Sequence, residues 1–286
     1  MRFDSYHPAI NLLYFTTVIA AAVGFDHPAF LLIGYLCAFV YSVALEGKRA
    51  LGLNLLLLPL MALFAGYYGF YNHFGVTVLS VNFIGNRIML ESLLYGLVLA
   101  VKAATVLMWM ECVHAVFSSD KVVYLLGRVS PRLSLYLSLL LRLVPRIRQR
   151  RHKIGEAQYC IGRSRRLFRK LSILITWTLE DLESSSTSME SRGVKLRGRT
   201  AFSIYRFDNR DRAFVIALCT LYTLLLMAVA LDQTRTLYAP ELVINPVSPL
   251  SFVFYTAYAL ACLLPLRLQR IAERHFRRLL RTPPAP

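Results

Sequence analysis

Six stretches of this chain, 8–24, 28–45, 51–70, 91–116, 213–231 and 250–266, are apolar on nearly every side of a helical wheel. A helix of that kind has no polar face to offer water, and about twenty such residues cross the hydrocarbon core of a bilayer. The pattern predicts six transmembrane helices. Pro28 would open one of them, and Pro59 is tolerated where neighbouring helices re-satisfy the backbone. The first stretch does not read as a cleaved signal: Arg2 is followed by Asp4, and the second stretch comes at once after Gly24-Phe25-Asp26-His27.

Between the fourth and fifth stretches the period changes. Pro131 starts a segment with apolar residues at Leu140, Val144, Ile147, Ile154 and Ile161, separated by Arg142, Arg146, Arg148, Arg150, Arg151 and Lys153. That spacing predicts an amphipathic helix with an apolar seam and a basic back. Over 131–160 it would be about 45 Å long, more than a connector needs. Leu133 to Val144 is apolar nearly all round, so the helix is expected to begin at the membrane surface and to bend at Pro145.

A second helix is expected over 168–190. Leu171, Leu174, Ile175, Leu179, Leu182 and Met189 keep helical spacing, while Glu180, Asp181 and Glu183 are polar. The run Ser184 to Ser188 has poor helix propensity and reads otherwise as a flexible linker. Small side chains let two helices cross closely, and Met189-Glu190 continues the pattern, which favours helix. Gly193 should end it.

Charge then orients the chain. Of its 286 residues 56% are hydrophobic and only 17% charged, yet the formal net charge is +17. The two combine if the basic residues crowd one side of a membrane. They lie in Glu46-Gly47-Lys48-Arg49, throughout Lys121 to Arg212, and at Arg267, Arg270, Arg274, Arg277, Arg278 and Arg281. The segments 71–90 and 232–249 hold one Arg each, Arg87 and Arg235. The positive-inside rule puts both termini and the segment 117–212 in the cytoplasm. The expected order is transmembrane helices 1–4 over 1–116, a cytoplasmic pair of long helices over 117–212, transmembrane helices 5–6 over 213–266, and a basic tail over 267–286. This is an all-α integral membrane protein with about six transmembrane helices and a cytoplasmic domain of two long crossing helices.

Catalytic patterns find no support. The chain has no GxxxxGK[ST] phosphate loop, no HExxH, no GxSxG and no paired carboxylates inside a span. Its five cysteines show no ligand spacing and its six histidines form no HxxxH pair, so neither a metal site nor a cofactor is expected. The eleven basic residues against one acid over 142–170 would suit nucleic acid or anionic lipid; beside a membrane span, lipid and protein partners are favoured over nucleic acid. Lys102 stands near the centre of the fourth stretch, where an insertion cost of about 2.5–3.5 kcal/mol requires it to face protein or water. Glu91 is eleven residues earlier and about 16 Å away along the axis, too far to pair with it.

Three passages carry a resemblance to a known family. They are Tyr6-His7-Pro8-Ala9-Ile10-Asn11-Leu12; the run from Ser118-Ser119-Asp120-Lys121 through Pro131-Arg132-Leu133 to Leu141-Arg142-Leu143-Val144-Pro145; and the pair Glu156-Ala157-Gln158 and Met189-Glu190-Ser191-Arg192-Gly193. Together they resemble the transmembrane T component of energy-coupling-factor (ECF) transporters, a branch of the ABC importers for vitamins and metal ions. In that family both cytoplasmic helices, the coupling helices, end in an Ala-Arg-Gly-like triplet. The second copy here is Ser191-Arg192-Gly193; the first reads Cys160-Ile161-Gly162, with Ile161 in the arginine slot and Arg163 one place later.

The resemblance implies a non-catalytic scaffold in the plasma membrane with three partners: two cytosolic ABC ATPase subunits and a small substrate-binding membrane subunit. The ATPases would be met by Ser191, Arg192 and Gly193 and by Ala157, Gln158, Gly162 and Arg163. Related T components often carry a basic residue at the position of Lys102, which implies an architectural contact there rather than a transport path. The alternative reading is a membrane receptor or scaffold that recruits cytosolic proteins without transport. A membrane-embedded transferase holding a phospholipid headgroup on the basic surface is a third.

Overall fold

The computed structural model describes residues 3–81, 87–162, 167–194, 196, 205–238, 243–246 and 248–281. It divides into two compact units, Met1–Ser118 with Tyr205–Pro286, and Ser119–Ile204.

The first unit is a bundle of apolar helices: α1 Pro8–Gly24, α2 Pro28–Glu46, α3 Lys48–Tyr71, α4 Leu90–Val116, α8 Asn209–Ala230 and α9 Pro249–Arg281. Among the described residues, α2, α3, α4, α8 and α9 are long and apolar enough to cross a membrane. The protein is an all-α, multi-pass membrane protein. Helix α1 is equally apolar but has 17 residues, about 26 Å, slightly less than a hydrocarbon core. The final helix does not stop at 266; it continues to Arg281.

The starts of α1 and α2 use one device twice. His7-Pro8-Ala9 and His27-Pro28-Ala29 each place an imidazole before a proline, and the Nδ1 of each histidine accepts the backbone N–H of the alanine, at 3.2 and 3.3 Å. Proline at the first helical position has no N–H to leave unsatisfied, so the first donor that needs a cap is the alanine's, and the histidine meets it. Asp208 and Asp211 cap α8 reciprocally.

Helix α4 packs against α1, α2 and α3. Its Trp109 is fully buried between Tyr14 and Phe15 of α1 and Tyr41 of α2, with ring centroids 5.6–6.3 Å away. Such aromatic pairs add about 0.5–1.5 kcal/mol each beyond area burial. The Tyr14 hydroxyl donates to the Cys262 carbonyl at 2.6 Å, tying α1 to α9. Where α2 meets α9, a Cβ on Gly34 would fall 2.8 Å from the Tyr258 hydroxyl oxygen, so this crossing needs glycine. By contrast Leu51, Leu55, Leu58 and Leu63 of α3 point outward, as a lipid-facing helix requires.

The connections 71–90 and 232–249 carry short antiparallel hairpins: β1 Val78–Val81 with β2 Arg87–Met89, and β3 Thr236–Leu237 with β4 Val243–Ile244. Glu91, at the start of α4, is spent on the first of these. Its carboxylate accepts the backbone N–H and the hydroxyl of Thr77, and Ser92 donates to the Asn72 carbonyl at 2.6 Å.

The second unit is α5 Ser119–Val129, α6 Pro131–Cys160 and α7 Leu167–Ser191. Gly127 lets α5 fold back closely on α6, since a Cβ there would meet Ser134 Oγ at 3.1 Å, and Ser134 donates to the Val123 carbonyl at 3.0 Å. Helix α7 runs unbroken through Ser184 to Ser188, with Thr187 and Ser184 hydroxyls turned back onto the carbonyls of Glu183 and Asp181.

Candidate functional site

The sequence-expected site lies on α6 and α7. Along the second half of α6, Ile154 is buried, and the half-buried Leu143, Ile147, Arg150 and Gln158 line up with it at spacings of four, three, four and four. This seam differs from the expected stripe: Ile147 and Ile154 belong to it, but Leu140, Val144 and Ile161 are 57%, 49% and 64% exposed. The seam admits Arg150 because α7 supplies the groups an arginine needs.

Those groups are Asp181 and Trp177. Arg150 Nη2 is 3.0 Å from Asp181 Oδ1, and Arg146 Nη1 is 3.1 Å from Asp181 Oδ2. Arg150 also donates to the Trp177 carbonyl at 3.0 Å and lays its guanidinium 4.9 Å above the indole ring. One carboxylate thus gathers two forks, a charge-assisted arrangement with more directionality than a single lysine would give. The neighbouring Arg150 and Arg146 hold the Asp181 carboxyl below its ordinary value, the Arg150 hydrogen bond contributing most. Spacing alone puts both arginines on a solvated basic back. The signal that corrects it is Asp181, whose spacing from Leu174 and Thr178 puts it on the helix face that meets α6.

Past this clasp the helices run on by equal amounts. Cys160 ends α6 ten residues after Arg150, and Ser191 ends α7 ten residues after Asp181, about 15 Å in each case. The ends are also built alike. Gly193 has φ +73, its N–H donates to Glu190 O at 2.9 Å, and Val194 N–H donates to Met189 O at 3.2 Å, the paired bonds of a Schellman cap. Gly162 has φ +70 and donates to Tyr159 O at 2.9 Å. A left-handed residue after the last helical turn is what glycine supplies without strain.

The two glycines align the two tips. Arg192 and Ile161 each occupy the position just before the left-handed glycine, and both are exposed. Ser191 and Ala157 are exposed, Gly193 and Gln158 half-buried, and Gly162 exposed. Arg163 lies outside the described residues.

Within its own unit, much of α7 is left uncovered by the described residues. None of its side chains is buried, and Leu171, Ile175, Leu179 and Leu182 are between 42% and 60% exposed. An apolar face of that extent marks a contact surface. No family model matches the chain, and no curated protein matches it.

The intramembrane lysine is in the first unit and has no part in this pair. Lys102 donates to the Val23 carbonyl at 2.9 Å and lies 2.5 Å from Asp26 Oδ1. Asp26 is held in turn by its neighbours, its N–H donating to Thr234 O and its carbonyl accepting the Tyr238 hydroxyl. Lys102 therefore pins the α1–α2 turn to α4. Nothing in the sequence pattern singles out Asp26, although it is the acid in the short link between the first two apolar stretches.

Proposed function

We propose that this chain is the transmembrane T component of an ECF-type ABC importer. In this reading it crosses the plasma membrane six times with both termini in the cytoplasm. It passes the movement of two cytosolic ATPase subunits to a small substrate-binding membrane subunit, for uptake of a vitamin or a metal ion. The protein does no chemistry itself; it is the part through which motion is delivered.

The observation that carries the reading is the matched pair of helix ends on α6 and α7. Two exposed tips with the same glycine cap each stand about 15 Å beyond a single carboxylate clasp. A pair of related ATPase subunits needs two such docking points, and an exposed arginine at a helix end offers a fork for carboxylates or carbonyls in a groove. The clasp makes the two helices respond as one piece. The exposed apolar face of α7 and the basic surface of α6 add area for protein and for anionic lipid.

The test is recruitment and uptake. Expressed with an ABC ATPase pair and a substrate-binding membrane subunit from its own genome, the chain should co-purify with both and support ATP-driven uptake in vesicles. Alone it should hydrolyse no nucleotide. If it inserts normally yet binds no ATPase pair, the receptor-or-scaffold alternative takes its place.

A further inference from the structure

A polar cluster unrelated to the helix tips lies inside the first unit, where the end of α2, the start of α3 and the last third of α4 meet. Ser42 is 1% exposed and Asn54 is fully buried. Asn54 Nδ2 donates to Ser42 Oγ at 3.3 Å, and Ser42 Oγ donates to Glu111 Oε2 at 3.2 Å. Two oxygens are left over: Glu111 Oε1 and Asn54 Oδ1 are both buried, and neither has a hydrogen-bond partner among the described residues. No described lysine or arginine forms an ion pair with Glu111.

Two bare acceptors and a carboxylate without a countercharge are costly in a low-dielectric interior. A cation ligated by these oxygens would relieve all three at once. The oxygens available are hard: a carboxylate, an amide carbonyl and a hydroxyl, contributed by three different helices. Such donors suit alkali or alkaline-earth ions rather than transition metals. One carboxylate with neutral oxygens balances a single positive charge, whereas calcium sites gather several carboxylates.

We propose that Glu111, Asn54 and Ser42 form a binding site for a monovalent alkali cation, sodium or potassium, that joins α2, α3 and α4. Glu111 supplies the charge, Asn54 Oδ1 the second ligand, and Ser42 both a ligand and the hydrogen bond that aims the carboxylate. Glu111 as a whole is only half-buried, which leaves part of its side chain open to the surroundings.

Thermal unfolding of the purified full chain in detergent tests this. Choline chloride, sodium chloride and potassium chloride would be exchanged at constant total ionic strength. The site predicts a Tm that rises with one alkali ion and saturates, with choline inert. Glu111→Gln keeps the shape but removes the charge, and should abolish the response. Ser42→Ala, which leaves Glu111 in place, should shift its midpoint to higher ion concentration, and it serves as the readout if Glu111→Gln folds poorly. A Tm that is the same in all three salts would overturn the proposal and leave a proton or a water at these oxygens. A non-saturating rise shared by sodium, potassium and Glu111→Gln would overturn it as well, as a bulk salt effect. Neither outcome involves an ATPase, so the result is independent of the transporter reading.

Discussion

Lys102 and Asp26 form an unequal ion pair: the lysine side chain is 15% exposed, while the aspartate keeps 38% of its surface in contact with solvent. Stranding the lysine should therefore cost more than stranding the aspartate. Asp26→Asn, which leaves the ammonium inside the bundle with the Val23 carbonyl but no countercharge, should lower stability by about 1–3 kcal/mol. Lys102→Met, which fills the same space without charge, should cost less. Thermal unfolding of the two single variants and the double variant decides it; a larger loss in Lys102→Met would refute the ordering.

The Asp181 clasp has a defined pH window. A carboxyl whose pKa is lowered by folding contributes stability above its unfolded value and loses it as pH falls through the folded one. For Asp181 the ordinary value is 3.8 and the folded value is lower. The α6–α7 crossing should thus be indifferent to pH at neutrality and loosen only below about pH 4. The chain has two tryptophans, so fluorotryptophan labelling gives two resonances, and that of Trp177 should move in this acid window. Asp181→Asn should reproduce the acid position at neutral pH.

The helix tips make opposite predictions for two residues in equivalent places. Arg192→Glu should weaken ATPase association by about ten- to a hundredfold, the loss expected for a charge-assisted hydrogen bond. Ile161→Arg should strengthen it, because the cap of α6 holds residue 161 where the cap of α7 holds 192. Measured with the ATPase pair, unchanged binding in Arg192→Glu would show that α7 docks elsewhere.

Sidedness can be read with thiol reagents after the native cysteines are replaced. Val76, in the connection before α4, is 63% exposed, and Ser186 on α7 is also exposed. With both termini cytoplasmic, Val76→Cys should react with an impermeant maleimide in intact cells, and Ser186→Cys only after permeabilisation. The reverse pattern would invert the protein.

Helix limits are written in composition and punctuation. Pro131 and Gly162 bracket α6, and Gly193 closes α7, because proline and glycine act locally and need no partner to be read. The Ser184 to Ser188 run shows the converse: its propensity is poor, yet helix persists on both sides of the Asp181 clasp. Pairing across the fold is what periodicity leaves out. It counts Arg150 as polar and turns it outward; only Asp181 and Trp177, about thirty residues on, turn it inward. The partner of Lys102 lies in a link 76 residues earlier, and the Ser42–Asn54–Glu111 cluster draws one residue from each of three helices. The β1–β2 hairpin has a signal in the β-branched Val76-Thr77-Val78 and the later Gly85-Asn86 pair, but a search for apolar spans of some twenty residues does not register it.

A 25-residue helix without one buried side chain also has consequences for the cell that makes it. In the proposed transporter reading, the greasy side of α7 is offered to chaperones, proteases and other copies of itself until the partner subunits arrive. Synthesis in excess of the partner subunits should then be self-limiting: orphan copies would be cleared, and the abundance of the protein would track that of whatever covers α7.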